Sequence, residues 1–293
     1  MNQDQLMDWL CGLKKYLPGK GGPVVSVINL SGVIGATGGL RQSLSMSSVE
    51  PLLERAFKPK KLAAVALAIN SPGGSPVQSA LIARRIRALA EEKNIPVVAF
   101  AEDVAASGGY WLACAADEIY ADSNSIIGSI GVVSGGFGFP ELLKRCGVER
   151  RLYTSGDSKA MLDPFSPEKA ADIKHLKSLQ TEIHDGFIDM VQERRGDRLK
   201  GADKVLFSGA FWTGATALEL GLIDGLSDVR SNMRERFGDD VKIRKIEQHQ
   251  SFFKRKLGLS QIGPETANGI ADHLGHGLIS ALEERLIWNR FGL

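Results

Sequence analysis

The chain has 293 residues, and its 36 lysines and arginines against 34 aspartates and glutamates give a formal net charge of +2. Hydrophobic residues make up 43% and charged residues 24%, an ordinary balance for a globular chain. Near-neutrality excludes a chain-wide polyanion-binding surface, so no nucleic-acid partner is expected. Cys11, Cys114 and Cys146 form no CxxC pair, which points to a reducing compartment and away from a zinc site or disulfide frame.

The first 23 residues carry two acids ahead of a short apolar stretch and lack the basic region and long apolar core of a leader. No run approaches the roughly 18 apolar residues that would span a bilayer. A cytoplasmic protein with a 1–23 extension is expected. After a "GKGGP" breaker, "VVSVINL" (24–30) predicts a buried strand, and a helix follows near 47–57. "LAAVALAI" (62–69) predicts a second strand, broken by "NSPGGSP", and a helix runs from about 77 to 93. "PVVAFAE" (96–102) predicts a third strand, followed by a short helix over 108–116 and strands at 118–121, near 132 and at 150–154. Ser166-Pro167 predicts the start of a long helix ending near Gly196. "TGATALELGLIDGL" predicts a last short helix that closes a domain of residues 24–229. Strands that alternate with helices and are apolar on both faces indicate an α/β domain with a largely parallel sheet.

From residue 230 to 260 the composition changes: Arg230, Arg234, Arg236, Lys242, Arg244, Lys245, Lys254, Arg255 and Lys256 face only Glu235, Asp239, Asp240 and Glu247. Ile270, Leu274, Leu278, Leu282 and Leu286 then recur at helical spacing. The reading is an appended basic segment and amphipathic helical tail (230–293), outside the core. Such a helix suits packing on its own domain, on a second subunit, or as a peripheral contact with an anionic membrane.

Two loops at strand ends stand out, because parallel α/β sheets place functional loops there. Gly73 and Gly74 in "NSPGGSP" can expose backbone amides that no side chain shields. Ser107 in "VAASGGYW" stands among small residues where a helix begins. It suits either a tightly packed strand-to-helix turn or a nucleophile that attacks a carbonyl while nearby N–H groups hold the oxyanion. The histidines supply no base: His175 and His184 are nine residues apart, on opposite faces of one helix at about 100° per residue. His249 lies in the basic segment, and His273 and His276 lie in the tail, where with Asp272 they make a poor metal cluster. Lys159 in "YTSGDSKAMLDPF" remains, as a solvated loop lysine or as a base. A lysine acts as a base only when neutral, which cover from Met161, Leu162 and Phe165 would favour and Asp157 and Asp163 oppose.

Four stretches occur together and in order: "INSPGGS", "DVAASGGYWLACAADEIYADSNSIIGSIGVV", "YTSGDSKAMLDPF" and "LFSGAFWTGATALELGLIDGL". Over about residues 24–229 they resemble the SppA-type signal peptide peptidases, including the SohB-like group. The resemblance implies a ClpP/crotonase-like fold of repeated β-β-α units and a serine–lysine dyad. In that dyad Ser107 is the nucleophile, Lys159 the general base, and Ser129 a hydrogen-bonding partner that orients the lysine. Gly74 and Gly108 would form the oxyanion hole, and Gly73, Ser134 and Gly135 would line the substrate groove. It further implies a peptide substrate, a homo-oligomer, and neither cofactor nor metal. Relatives commonly carry an N-terminal membrane anchor, of which this sequence shows no sign. The competing reading is a crotonase-like acyl-CoA enzyme, which would use a similar oxyanion hole but need acid/base carboxylates in place of an essential serine.

Overall fold

The structure, a computed structural model, describes residues 22–35, 44–247, 285 and 287–292. Strand β1 (Val24–Ser31) leads to helix α1 (Met46–Ala56), β2 (Leu62–Ser71), α2 (Pro76–Lys93) and β3 (Val97–Ala106). Helix α3 (Gly108–Ala113), β4 (Glu118–Ala121) and β5 (Ile126–Gly128) follow. Then come α4 (Pro140–Arg145), the long α5 (Ala170–Arg195), α6 (Asp203–Leu206) and β6 (Phe211–Thr213). Helix α7 (Gly214–Glu219), β7 (Gly225–Leu226), α8 (Val229–Phe237) and β8 (Lys242–Ile246) complete the set. The sheet runs β6-β5-β3-β2-β1-β8, and β4 pairs with β3 and β7. Its pairings are parallel except β5 with β6. This is the α/β architecture with a largely parallel sheet that the sequence predicts.

The apolar runs alternate in size as well as in face. On β2, Val65, Leu67 and Ile69 pack toward the helices with Leu53, Ile82, Ile86 and Tyr110, while Ala64, Ala66 and Ala68 join Val25, Val27, Phe100 and Met233 on the other face. Ser75 caps α2 ahead of Pro76, which supplies a preset φ at the first turn. Strand β3 divides its outer edge: residues 98–101 pair with β4, residues 104–106 with β5. It thus changes its outer partner along its length.

Several expectations need correction. Strand β3 continues four residues past Glu102, to Ala106. No strand forms near residue 132, the nearby one being β5 at 126–128, and none forms at 150–154. Leu152 and Tyr153 there are exposed, and a strand needs a ladder partner. Helix α5 starts at Ala170, four residues after Ser166, whose hydroxyl donates to the Asp163 carboxylate and caps no helix. Nor does the fold stop at Val229. Helix α8 buries Met233 against the sheet, and β8 extends it by pairing in parallel with β1. Part of the basic segment is therefore core. The apolar stripe from residue 270 to 286 lies outside the described residues.

Candidate active site

Strand β3 delivers Ser107 to its carboxyl end in a backbone conformation rare for a residue with a side chain, φ 52° and ψ −122°. Such a conformation costs on the order of 1–3 kcal/mol and persists only where its surroundings impose it. The Ser107 N–H donates to the Gly128 carbonyl at the end of β5 (2.8 Å), and its carbonyl accepts from the Trp111 N–H (3.0 Å). Its half-buried side chain makes no capping hydrogen bond.

The glycine turn after β2 lies directly against it. A Cβ built on Gly73 would fall 2.7 Å from the Ser107 Cβ and 2.8 Å from the Gly108 nitrogen. Gly74, at φ 142°, has equally little room: a Cβ there would meet the Ile34 carbonyl oxygen at 2.1 Å. The chain at Ile34 straps this turn down, its N–H donating to Gly73 O and its carbonyl accepting from Ser75 N–H, both at 2.8 Å. The Gly74 and Gly108 amides enter no backbone hydrogen bond among the described residues. Ser107, Gly73, Gly74 and Gly108 are thus gathered at one point, with two amide donors unengaged beside one free hydroxyl.

Ser129 is one residue beyond the carbonyl that holds Ser107. It is buried, also at φ 52°, and its N–H donates to Ala210 O (2.7 Å). Beside it, His184 of α5 places Nε2 3.1 Å from Ile130 O. A carbonyl only accepts, so that nitrogen carries the proton. His184 is half-buried. His249, His273 and His276 lie outside the described residues, among which no metal-binding cluster occurs.

The remaining expected residues are exposed. Lys159 is exposed, and its ammonium meets no hydrogen-bond or ion-pair partner among the described residues. It makes no hydrogen bond to Ser107 or Ser129 among the described residues. Asp163, one of the acids that would oppose a neutral lysine, is engaged by Arg150 (2.9 Å) and Ser166 (2.8 Å). Ser134 and Gly135 are exposed, and nothing lies within 4 Å of a Cβ built on Gly135. Ser71 and Ser79 carry no expected role, yet both are buried here. The Ser71 hydroxyl accepts from Gly73 N–H (3.2 Å) and donates to Gly32 O (2.7 Å), and Ser79 Oγ closes the space beside Gly108. Their signal in the sequence is only a small hydroxyl next to a glycine turn.

Residues 89–242 match the model of peptidase family S49, and the chain belongs to that family. A putative protease of Synechocystis sp. is 34% identical over 242 residues, covering 80% of this chain and 82% of that protein. A putative signal peptide peptidase SppA of Enterococcus faecium is 30% identical over 201 residues, 67% of this chain and 58% of that one. A Brucella abortus protein named Na(+)/H(+) antiporter NhaA is 55% identical over 289 residues, 96% of this chain but 39% of its own length. The chain thus spans about two to three fifths of several curated relatives. The antiporter name is not carried over: the shared part holds the family S49 match and, among the described residues, no helix long and apolar enough to cross a membrane. In fold, a mutant of the 1510-N membrane-bound stomatin-specific protease in complex with a substrate peptide superposes with a TM-score of 0.52 at 16% identity, over 81% of this chain and 97% of that one.

Proposed function

We propose that this chain is a serine endopeptidase that cleaves peptides, signal-peptide remnants or other short unfolded segments, through a Ser107–Lys159 dyad. The observation that carries the reading is the convergence of a strained, unengaged Ser107 with the free Gly74 and Gly108 amides. Ser107 Oγ attacks the scissile carbonyl carbon while its proton passes to neutral Lys159 Nζ. The two amides hold the oxyanion of the tetrahedral intermediate, for which preformed donors need no reorganisation. Collapse breaks the C–N bond, the leaving amine takes the proton from Lys159, and an acyl-ester remains on Ser107. Water, deprotonated by the same lysine, then releases the acid. Ser129 would orient the lysine, and Gly73, Ser134 and Gly135 would border the peptide.

The base reaches this site in an assembly of identical chains. In support, residues 132–169 carry Val133, Phe137 and Tyr153 at 75, 77 and 89% exposure. That is apolar surface of the kind a partner covers, and it lies on the segment that bears Lys159. A second copy would desolvate this segment and bring its lysine to Ser107. We place the assembly in the cytoplasm, with the tail as its route to a membrane surface.

The test is labelling of the full chain with a fluorophosphonate probe, together with peptide hydrolysis. Wild type should label and cleave, and Ser107→Ala should do neither while keeping its thermal midpoint within about 2 °C, because the deletion removes one oxygen from a small-residue turn. Full hydrolysis by Ser107→Ala would overturn the mechanism.

A further inference from the structure

Strand β3 reaches Ser107 through a break in its ladder with β2. Ile69 pairs with Ala101 and Ser71 with Ala105, so three residues, Glu102, Asp103 and Val104, oppose the single Asn70. Those residues also mark the point where β3 changes its outer partner from β4 to β5. A bulge of this kind bends the strand and re-aims the residues beyond it, and it leaves backbone groups without ladder partners.

Asn70 fills the gap with its side chain. Its Oδ1 accepts from the Val104 N–H (3.3 Å), and its Nδ2 donates to the Asp103 carboxylate (2.7 Å). Only this orientation of the amide satisfies both neighbours, so the carboxylate fixes which end meets the backbone. From the other side the buried Ser125 hydroxyl donates to Glu102 O (2.5 Å). Just past the bulge, the pairing of Ser71 with Ala105 sets the glycine turn opposite Ser107, two residues on from each partner: Ser71 to Gly73, Ala105 to Ser107. If the bulge slipped by one residue, the side chains beyond it would exchange faces and the hydroxyl would leave Gly73.

We propose that Asn70 is a positioning residue: its amide stands in for the missing ladder between β2 and β3 and holds Ser107 in register with the Gly73–Gly74 turn. This role rests on Ser107 as the nucleophile. It acts on the geometry of attack and not on peptide binding, so it belongs to kcat.

The test exchanges the two side chains. Asn70→Asp sets two carboxylates within hydrogen-bonding distance and removes the donor; kcat should fall about tenfold or more with KM within about twofold, since small misplacement of a nucleophile is costly. Asp103→Asn leaves an amide pair that can still bond, and should lose no more than about threefold. The double variant Asn70→Asp/Asp103→Asn restores one donor, one carboxylate and the acceptor for Val104, and should return kcat and the probe-labelling rate to within about threefold of wild type. Thermal unfolding of each variant separates loss of fold from loss of register. Unchanged kcat in Asn70→Asp, or a double variant that recovers neither fold nor kcat, overturns the role. If Asn70→Asp does not fold, the double variant alone decides. A wild type that neither labels nor cleaves overturns the peptidase reading and this role with it; an active wild type with a failed exchange overturns only Asn70.

Discussion

Residues 69–131 and residues 132–169 carry the two halves of the proposed dyad, and they are built in opposite ways. Around Ser107 nearly everything is buried, and the glycine turn lacks room for a single added carbon. Around Lys159 the chain is exposed. The segment's internal order rests on a small cluster, Phe139 against Phe165 (5.6 Å between ring centroids) with Arg150 over the Phe165 ring (4.7 Å) and paired to Asp163. A nucleophile tolerates solvent on one side, but a lysine that must be neutral does not. The contrast teaches that the serine half is braced by its own chain, while the lysine half has little of its own chain around it.

The largest effect that would break the comparison comes from the lysine. Lys159→Arg keeps the charge but cannot give up a proton, so peptide hydrolysis should fall by about 10³-fold or more, as when a general base is lost. Full activity in the arginine variant would remove Lys159 from the mechanism. Mixing Ser107→Ala with Lys159→Ala after dissociation and reassociation then asks whether the halves meet across chains. Recovered hydrolysis means that the intact serine of one copy works with the intact lysine of another. No recovery places both in one chain and would make the exposed loop fold inward on its own protomer.

On the braced side, Gly74→Ala should lower kcat about a hundredfold, the usual cost of displacing one oxyanion donor. It should also lower the thermal midpoint, because the new methyl meets the Ile34 carbonyl. If hydrolysis and midpoint both stayed at wild-type values, the turn would be looser than its contacts indicate.

Much of this division can be read from the chain itself, and the exceptions have physical causes. Ser107 and Gly73-Gly74 stand out as small residues at strand ends, a pattern that by itself fits a plain turn as well as a site. Strand β8 is not legible, because its Lys242, Arg244 and Lys245 resemble a solvated basic stretch. It is an edge strand, where charge protects the open side from further pairing. The stretch at 150–154 has the composition of a strand, but no partner strand among the described residues. The role of Asn70 depends on the register between β2 and β3, which no single stretch of sequence encodes.

A smaller effect sharpens the comparison on the exposed side. Phe137→Ser and Tyr153→Ser remove largely exposed apolar surface, of which only the Phe137 ring meets another ring, that of Phe139 at 6.4 Å, among the described residues. They should leave the midpoint of an isolated protomer nearly unchanged while weakening self-association by about tenfold or more each, as interface aromatics do. Sedimentation across a micromolar dilution series reads this directly. An assembly indifferent to both substitutions would mean that another surface covers the copies.

The smallest expected effect lies on the braced half, where α8 is fastened to the sheet. Arg236 of α8 donates to both Glu118 carboxylate oxygens, one at 2.8 Å, and the Tyr120 hydroxyl donates to the same group at 2.6 Å. These bonds, the arginine's foremost, hold the Glu118 carboxyl at about 2 against an ordinary 4.5. The folded state therefore binds this proton less readily than the unfolded chain, so the ion pair's stabilisation is complete above pH 4.5 and is lost as pH falls toward 2. The group is partly exposed, so solvent and salt screen the pair and keep its contribution small. Glu118→Gln abolishes the titration but keeps a weaker acceptor for Arg236. Above pH 5 the glutamine variant should melt about 2–4 °C below wild type, and the gap should narrow as the pH is lowered toward 3. The hydrophobic packing of Met233 and Phe100 beneath α8 has no such pH dependence. A gap that stays constant from pH 6 to pH 3 would assign the fastening of α8 to that packing alone and leave Arg236 as surface decoration on the braced half.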